Sequence, residues 1–128
     1  MKLDHIGVVV RDLDQACTFL SQTFGLELDR TAEAPDRQIR VAFFNLGPAQ
    51  IELLEVGDPE SRAQRLGDAE ARVEHIAVEV DDVDATLAEL RAKGVQSQQD
   101  EPELRGGRRA FFTRPESSGG VIYQFLEN

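Results

Sequence analysis

LDHIGVVVRDLD, residues 3–14, returns as VEHIAVEVDDVD at residues 73–84, with six of the twelve positions identical at an offset of 70. Each stretch carries a histidine at its third position, and His5 and His75 are the only two histidines in the chain. Apolar residues alternate as in a half-buried strand, and the aspartates that follow can cap a helix. The repeat therefore predicts two copies of one module, each opening with a strand and a helix.

Two shorter matches follow the first in the same order along the chain. They are AFF at residues 42–44 and 110–112, and IELLE at residues 51–55 against YQFLE at residues 123–127. The second of these matches pairs Glu52 with Gln124. Because strand patterns surround both, each module is expected to be β-α-β-β-β.

The element boundaries follow from apolar spacing and from glycine and proline punctuation. In the first module we expect strands at 3–10, 26–31, 39–46 and 49–55, a helix ended by Gly25, and a loop at 32–36. In the second we expect a strand at 73–80, a helix ended by Gly94, a short strand after Gly94, and strands at 109–114 and 121–126. A short helix should begin at Asp58 and Pro59, between the modules.

The length of 128 residues predicts one domain that spans the whole chain. Module 1 covers about residues 1–56, a connector about 57–71, and module 2 about 72–128. The expected fold class is α+β. Neither module can bury both faces of a small curved sheet, so the two should pair around a pseudo-twofold axis and share one concave face.

Composition restricts the classes of function. Hydrophobic residues make up 41% and charged residues 30%, as in ordinary globular proteins, and the net charge of −10 argues against binding to nucleic acid. No apolar stretch has the length that a signal peptide or membrane span requires, and the single Cys17 excludes an internal disulfide. We expect a cytoplasmic protein whose partner is a small molecule rather than a nucleic acid or a membrane.

Symmetry predicts a site. If the two modules pair about an axis, His5 faces His75 and Glu52 faces Gln124. Two imidazoles, one carboxylate and one amide oxygen suit one divalent ion with open water positions, and the residues do not choose among cobalt, nickel, manganese, zinc and ferrous iron. The alternative is that each histidine is a hydrogen-bonded strand residue and Glu52 an exposed one.

The quoted stretches, together with VAFFNLGPAQIELLE at 41–55 and PESSGGVI at 115–122, resemble the vicinal oxygen chelate (glyoxalase/bleomycin resistance/dioxygenase) superfamily. Within it the chain is most similar to the methylmalonyl-CoA epimerases, with glyoxalase I more distant. The resemblance implies paired βαβββ modules that close a U-shaped mixed sheet around a metal, usually in a homodimer. The ligand positions of the family fall on His5, Glu52, His75 and Gln124. In the epimerases the last position is typically a glutamate that also acts as acid or base, and here it is Gln124.

The resemblance implies a metal-dependent epimerase or glyoxalase-type lyase that stabilises an enolate of a small oxygen-chelating substrate, with acyl-CoA thioesters as one class. Glu52 is the remaining carboxylate, as ligand and catalytic base. Candidates for a second base are Glu33, Asp36, Glu101 and Glu103. Arg105, Arg108 and Arg109 could bind a substrate carboxylate or a CoA phosphate, or form a solvated patch. The alternatives are a metal-free, resistance-type binding protein and a ferrous extradiol-type dioxygenase.

Overall fold

The computed structural model describes residues 1–128, with eight strands and three α-helices. In the first module these are β1 (Lys2–Val10), α1 (Leu13–Gln22), β2 (Leu28–Ala34), β3 (Ile39–Leu46) and β4 (Ala49–Val56). The connector holds α2 (Pro59–Arg65). The second module holds β5 (Ala71–Val80), α3 (Val83–Ala92), β6 (Glu103–Arg105), β7 (Arg108–Phe112) and β8 (Ile122–Glu127). The predicted α+β class and the βαβββ order of both modules are confirmed. None of the helices combines the length and apolar character needed to cross a membrane.

Residues from His5 to Glu74 form one compact unit. Its strands lie in the order β2-β3-β4-β1, with β1 parallel to β4 and the other neighbours antiparallel. Helix α1 covers one face of this sheet, where Leu13 and Leu20 pack against Val10 and Leu53. Because side chains alternate between faces along a strand, His5 and Gly7 belong to the opposite face.

Met1–Asp4 and His75–Asn128 form the second compact unit. Its strands lie in the order β5-β8-β7-β6, with β5 parallel to β8 and the other pairs antiparallel. Helix α3 covers one face through Val83 and Leu87, which pack against Phe111 and Phe125. The second module therefore repeats the strand order and the helix placement of the first.

Helices α1 and α3 each begin with one aspartate and one glutamate that accept hydrogen bonds from backbone N–H groups. The Asp12 side chain accepts a hydrogen bond from the Gln15 N–H at 3.0 Å, and Glu55 accepts one from the Leu13 N–H at 2.8 Å. The equivalent bonds at the start of α3 are Asp82 with Ala85 at 2.9 Å and Glu127 with Val83 at 3.1 Å. Each pair satisfies two N–H groups that have no partner within their own helix.

In each module, an arginine of the third strand contacts these carboxylates. In the second module this arginine is Arg109. Arg40 contacts Asp14 and Glu55, each at 3.2 Å. Arg109 forms two hydrogen bonds to Asp84 and lies 3.9 Å from Glu127. The two arginines are equivalent at an offset of 69, so Arg109 supports the start of α3 rather than forming part of a free basic patch.

The alignment of the AFF tripeptides is wrong by one residue. Phe43 lies opposite Glu52 in the β3–β4 register, whereas Phe112, not Phe111, lies opposite Gln124 in the β7–β8 register. Phe111 instead packs in the core beneath α3. The two tripeptides are identical in sequence but differ by one position in register. A shift of one residue along a strand transfers every side chain to the other face, so identical residues here lie on opposite faces.

Two elements also differ from expectation. Directly after Gly94 the chain makes only an isolated bridge between Ser97 and Thr113. The short strand expected there is β6, the second strand of the second module, and it begins only at Glu103. The expected loop at 32–36 is strand up to Ala34, because β2 stays paired with β3 until Ile39.

The aspartate caps can be tested by substitution at α1. Asp12→Ala should lower the free energy of unfolding by about 1 kcal/mol, since the Gln15 N–H loses its acceptor. Asp12→Asn should retain most of the stability because the asparagine oxygen is an equally good cap. Urea denaturation followed by circular dichroism measures both changes. An equal loss in the two variants would show that the charge of Asp12, rather than its cap, is what stabilises α1.

Candidate metal centre

His5 and Glu52 meet on the open face of the first unit. The strands β1 and β4 run parallel, and Glu52 lies opposite Gly7, two residues beyond His5. His5 is only 5% exposed, and its Nε2 atom lies 3.4 Å from Oε1 of Glu52. The structure therefore brings this pair of predicted ligands together within one unit.

His75 and Gln124 have the same relation in the second unit. The strands β5 and β8 run parallel, and Gln124 lies opposite Ala77, two residues beyond His75. His75 is 3% exposed and Gln124 is 5% exposed. The predicted equivalence of Glu52 with Gln124 thus holds at the level of strand register.

Each histidine ring rests against the edge of an equivalent phenylalanine. The His5 and Phe43 ring centroids are 5.8 Å apart at an interplanar angle of 90°, and those of His75 and Phe112 are 5.5 Å apart at 88°. Such edge-to-face contacts fix the orientation of an imidazole without using its nitrogen atoms. The sequence held a signal for these residues in its paired phenylalanines, although the alignment assigned the wrong one in the second module.

Gln124 provides the test of whether these residues fit a metal. Its Oε1 atom is buried and accepts no hydrogen bond. A buried carbonyl oxygen without a partner costs on the order of 1–3 kcal/mol, and such atoms are rare in folded proteins. A bound cation would satisfy it, and imidazole, carboxylate and amide oxygen are ordinary ligands of divalent ions. The residues therefore fit the metal that the sequence implied.

The residue before each histidine is a carboxylate that binds an arginine. Glu74 accepts two hydrogen bonds from Arg65, at 2.7 Å from Nε and 2.8 Å from Nη2. Asp4 accepts one from Nη1 of Arg108 at 2.8 Å. The hydrogen bond to Glu74 raises the pKa of Arg65, and the negative charges of Glu74 and Glu52 add to this effect. The repeat contained these carboxylates at its second position, but nothing in the sequence identified their arginine partners.

The predicted basic patch near the last turn is fully occupied by carboxylates. Arg105 lies 2.9 Å from Glu103, and Arg108 lies 2.8 Å from Asp4 and 3.4 Å from Glu79. Arg109 belongs to the start of α3. None of the three arginines is left as a free cation for a substrate.

The four candidates for a second base fall in different surroundings. Glu103 is in its ion pair with Arg105, and Glu33, Asp36 and Glu101 are all exposed. Asp36 lies in a 3₁₀ turn at the wall of a cavity of about 350 Å³. Arg65 also lines this cavity. The hydrogen bond from its guanidinium to Glu74 raises the pKa of Arg65, and the negative charge of Glu52 raises it further.

The chain matches one protein family over most of its length. The family model described as the glyoxalase/bleomycin resistance protein/dioxygenase superfamily matches residues 4–112. The chain is 29% identical to the mitochondrial methylmalonyl-CoA epimerase of Mus musculus over 126 residues, which cover 96% of this chain and 71% of the mouse protein.

Solved structures agree with the sequence relatives. Methylmalonyl-CoA epimerase from Mycobacterium tuberculosis superposes with a TM-score of 0.90 at 29% identity, covering 98% of this chain and 87% of that one. A variant of the Streptomyces coelicolor methylmalonyl-CoA epimerase in complex with 2-nitronate-propionyl-CoA gives a TM-score of 0.88 at 29% identity, covering 100% and 97%. The resemblance that the sequence indicated is confirmed at the level of the superfamily and of its epimerase relatives.

The unpartnered oxygen of Gln124 can be tested without metal. In a chelating buffer, Gln124→Leu should raise the free energy of unfolding by about 1 kcal/mol, because it removes a buried carbonyl that has no partner. The matched control is Gln50→Leu. The Gln50 amide donates to Asp29 and Asn45 and accepts from Arg30, so its loss should lower stability by about 1 kcal/mol. Comparable destabilisation in both variants would contradict this account of Gln124.

Proposed function

Because the chain belongs to the glyoxalase/bleomycin resistance protein/dioxygenase superfamily, we propose that it is a metal-dependent epimerase of a small acyl-CoA thioester. The epimerase relatives and structural neighbours support an enzyme of the isomerase class, as predicted. The complex of the Streptomyces coelicolor epimerase with 2-nitronate-propionyl-CoA supports an acyl-CoA partner. The observation that carries the proposal in this chain is the pair of equivalent half-sites, one of which ends in the unsatisfied oxygen of Gln124.

The proposed ligands of the ion are His5, Glu52, His75 and Gln124. His5, Glu52 and His75 carry donor atoms of the kind that hold a metal ion, and Gln124 adds an amide oxygen. When bound, a divalent ion would supply Lewis-acid stabilisation for the negative charge of an enolate. Cobalt, nickel, manganese, zinc and ferrous iron all accept this donor set.

Epimerisation next to a thioester needs a base that removes a proton from carbon and an acid that returns one to the other face. Gln124 can do neither, so the proton chemistry must come from carboxylates elsewhere. Glu52 is the predicted catalytic carboxylate, and Asp36 is the proposed second one. The support for Asp36 is its position on a cavity wall that it shares with Arg65. His5 and His75 are buried, which limits the access of water to their imidazole rings.

Metal binding separates this proposal from its predicted alternative, a metal-free binding protein. Protein purified without an affinity tag should bind about one divalent ion per chain, and His5→Ala and His75→Ala should each abolish binding. Calorimetric titration and metal analysis measure this. No ion in the wild type, and no stabilisation on adding cobalt, nickel, manganese or zinc, would overturn the metal-dependent function.

An exchange of two side chains provides the matched control for the ligand set. The double variant Glu52→Gln, Gln124→Glu keeps two imidazoles, one carboxylate and one amide oxygen, so it should keep the ion. Glu52→Gln alone removes the only carboxylate ligand and should bind more weakly. If the double variant binds no better than the single one, Glu52 and Gln124 are not equivalent ligands.

Proton exchange in heavy water tests the carboxylates. With methylmalonyl-CoA as substrate, the wild type should exchange with solvent the proton on the carbon atom that lies between the thioester and the carboxylate. Nuclear magnetic resonance measures this exchange. Asp36→Asn should keep the ion and lose on the order of 10²-fold in epimerisation rate, the contribution expected of a general acid or base. The control Glu33→Gln, on the neighbouring strand, should leave the rate unchanged. An active Asp36→Asn enzyme would remove Asp36 from the mechanism.

The homodimer and the cytoplasmic location expected from the sequence stay predictions, as does the division into a single domain of two modules and a connector.

A further inference from the structure

We propose that Arg30 binds an anionic group of the substrate, a carboxylate or a phosphate, beside the proposed metal ligands His5 and Glu52. The inference rests on the proposed function, because it assigns a part of the substrate to a residue of the same face. Arg30 would act on substrate affinity and selectivity rather than on the proton transfer itself. Arg105, Arg108 and Arg109, which the sequence offered for this role, are instead paired with carboxylates.

Strand register puts Arg30 on the correct face. Arg30 lies opposite Phe43 in the β2–β3 pair, and Phe43 lies opposite Glu52 in the β3–β4 pair. Directly opposite residues of an antiparallel pair point to the same face of a sheet. The Cζ atom of Arg30 lies 3.9 Å from the centroid of the Phe43 ring, whose edge-to-face partner is His5. One aromatic ring therefore separates the guanidinium from a metal ligand.

The guanidinium is held in place but retains unused donors. Its Nη1 atom donates to Asp29 at 2.7 Å and to the side-chain oxygen of Gln50 at 3.2 Å, whereas Nε and Nη2 make no hydrogen bond. The side chain is 53% exposed, so a ligand can reach it. Stacking on Phe43 fixes the plane of the fork, which lowers the entropy cost of binding a carboxylate or a phosphate with two hydrogen bonds.

Asp29 does not neutralise Arg30 completely. The Asp29 carboxylate is itself shared, because the same oxygen accepts a hydrogen bond from Nε2 of Gln50 at 3.0 Å. A hydrogen bond from Gln50, which has the larger effect, and one from Arg30 lower the pKa of Asp29. The contact is exposed on both sides and is therefore weak enough for a ligand to compete with it.

The second module shows that the fold does not need this arginine. Phe112 is the equivalent of Phe43, yet no arginine stacks on it, and its backbone N–H donates to the Gln99 side chain at 2.8 Å instead. By contrast, the arginine that supports the start of each helix occurs in both modules. A cation found against only one of the two equivalent phenylalanines is not required by the fold.

Charge gives a reason for such a residue. The chain carries a net charge of −10, and a CoA thioester that bears a carboxylate is strongly anionic at neutral pH. Away from the proposed metal ion, the net negative field of the protein would repel that substrate. Arg30 offers a cation on the His5 face, and its Nε and Nη2 atoms make no hydrogen bond.

Calorimetric binding to the metal-loaded protein tests the proposal without relying on turnover. The ligands are malonyl-CoA, propionyl-CoA, which lacks the free carboxylate, and malonyl-pantetheine, which lacks the phosphates. The variants are Arg30→Gln, Arg30→Lys and the matched control Arg105→Gln, an arginine of β6 paired with Glu103. Arg30→Gln should weaken malonyl-CoA binding about tenfold or more, as expected for a charge-assisted hydrogen bond, and Arg30→Lys should lose less.

The ligand set distinguishes the two sources of the anion. A loss for malonyl-pantetheine but not for propionyl-CoA assigns Arg30 to the acyl carboxylate, and the reverse pattern assigns it to a CoA phosphate. Arg105→Gln should leave the affinities for all three ligands unchanged. Wild-type affinities in Arg30→Gln for all three ligands would overturn the role of Arg30 and leave the proposed function intact. A wild type that binds none of the three ligands would overturn both.

Discussion

The packing of one helix against one face of each four-stranded sheet determines what the other face can hold. Side chains alternate along a strand, so once Val10 packs under α1 and Val80 under α3, the histidines five residues earlier must point away from the helix. No separate device is required to turn His5 and His75 towards a ligand. The hydrophobic contacts of the two helices position the imidazoles.

The position of the histidines depends on helices that start at fixed residues. Charged side chains, rather than apolar contacts, determine these starts. At each start, one aspartate caps the helix and one glutamate from the last strand of the module accepts a further N–H group. An arginine from the adjacent strand then joins the glutamate to the first turn. The acidic composition of the chain is therefore partly structural, because several of its carboxylates hold helix ends in place.

The sequence predicted a large part of this, and its failures have physical reasons. Local patterns identified both modules, their helices and the pairing of Glu52 with Gln124, because periodicity and capping residues act over short distances. The one-residue error at the phenylalanines arose because adjacent apolar letters do not say which face each occupies. The arginine partners of Asp4 and Glu74 were not predictable, since Arg108 is 104 residues from Asp4 in sequence and Arg65 belongs to a separate element, helix α2.

Strand β2, which carries Arg30, lies at the end of its sheet and pairs only with β3. All of its residues but the last are exposed, and its outer side offers backbone groups that another extended chain could pair with. The charges of Asp29, Arg30 and Glu33 make such pairing unfavourable, so they also guard the protein against self-association through this edge. A residue assigned to ligand binding thus contributes to colloidal behaviour, and selection on either property constrains the other.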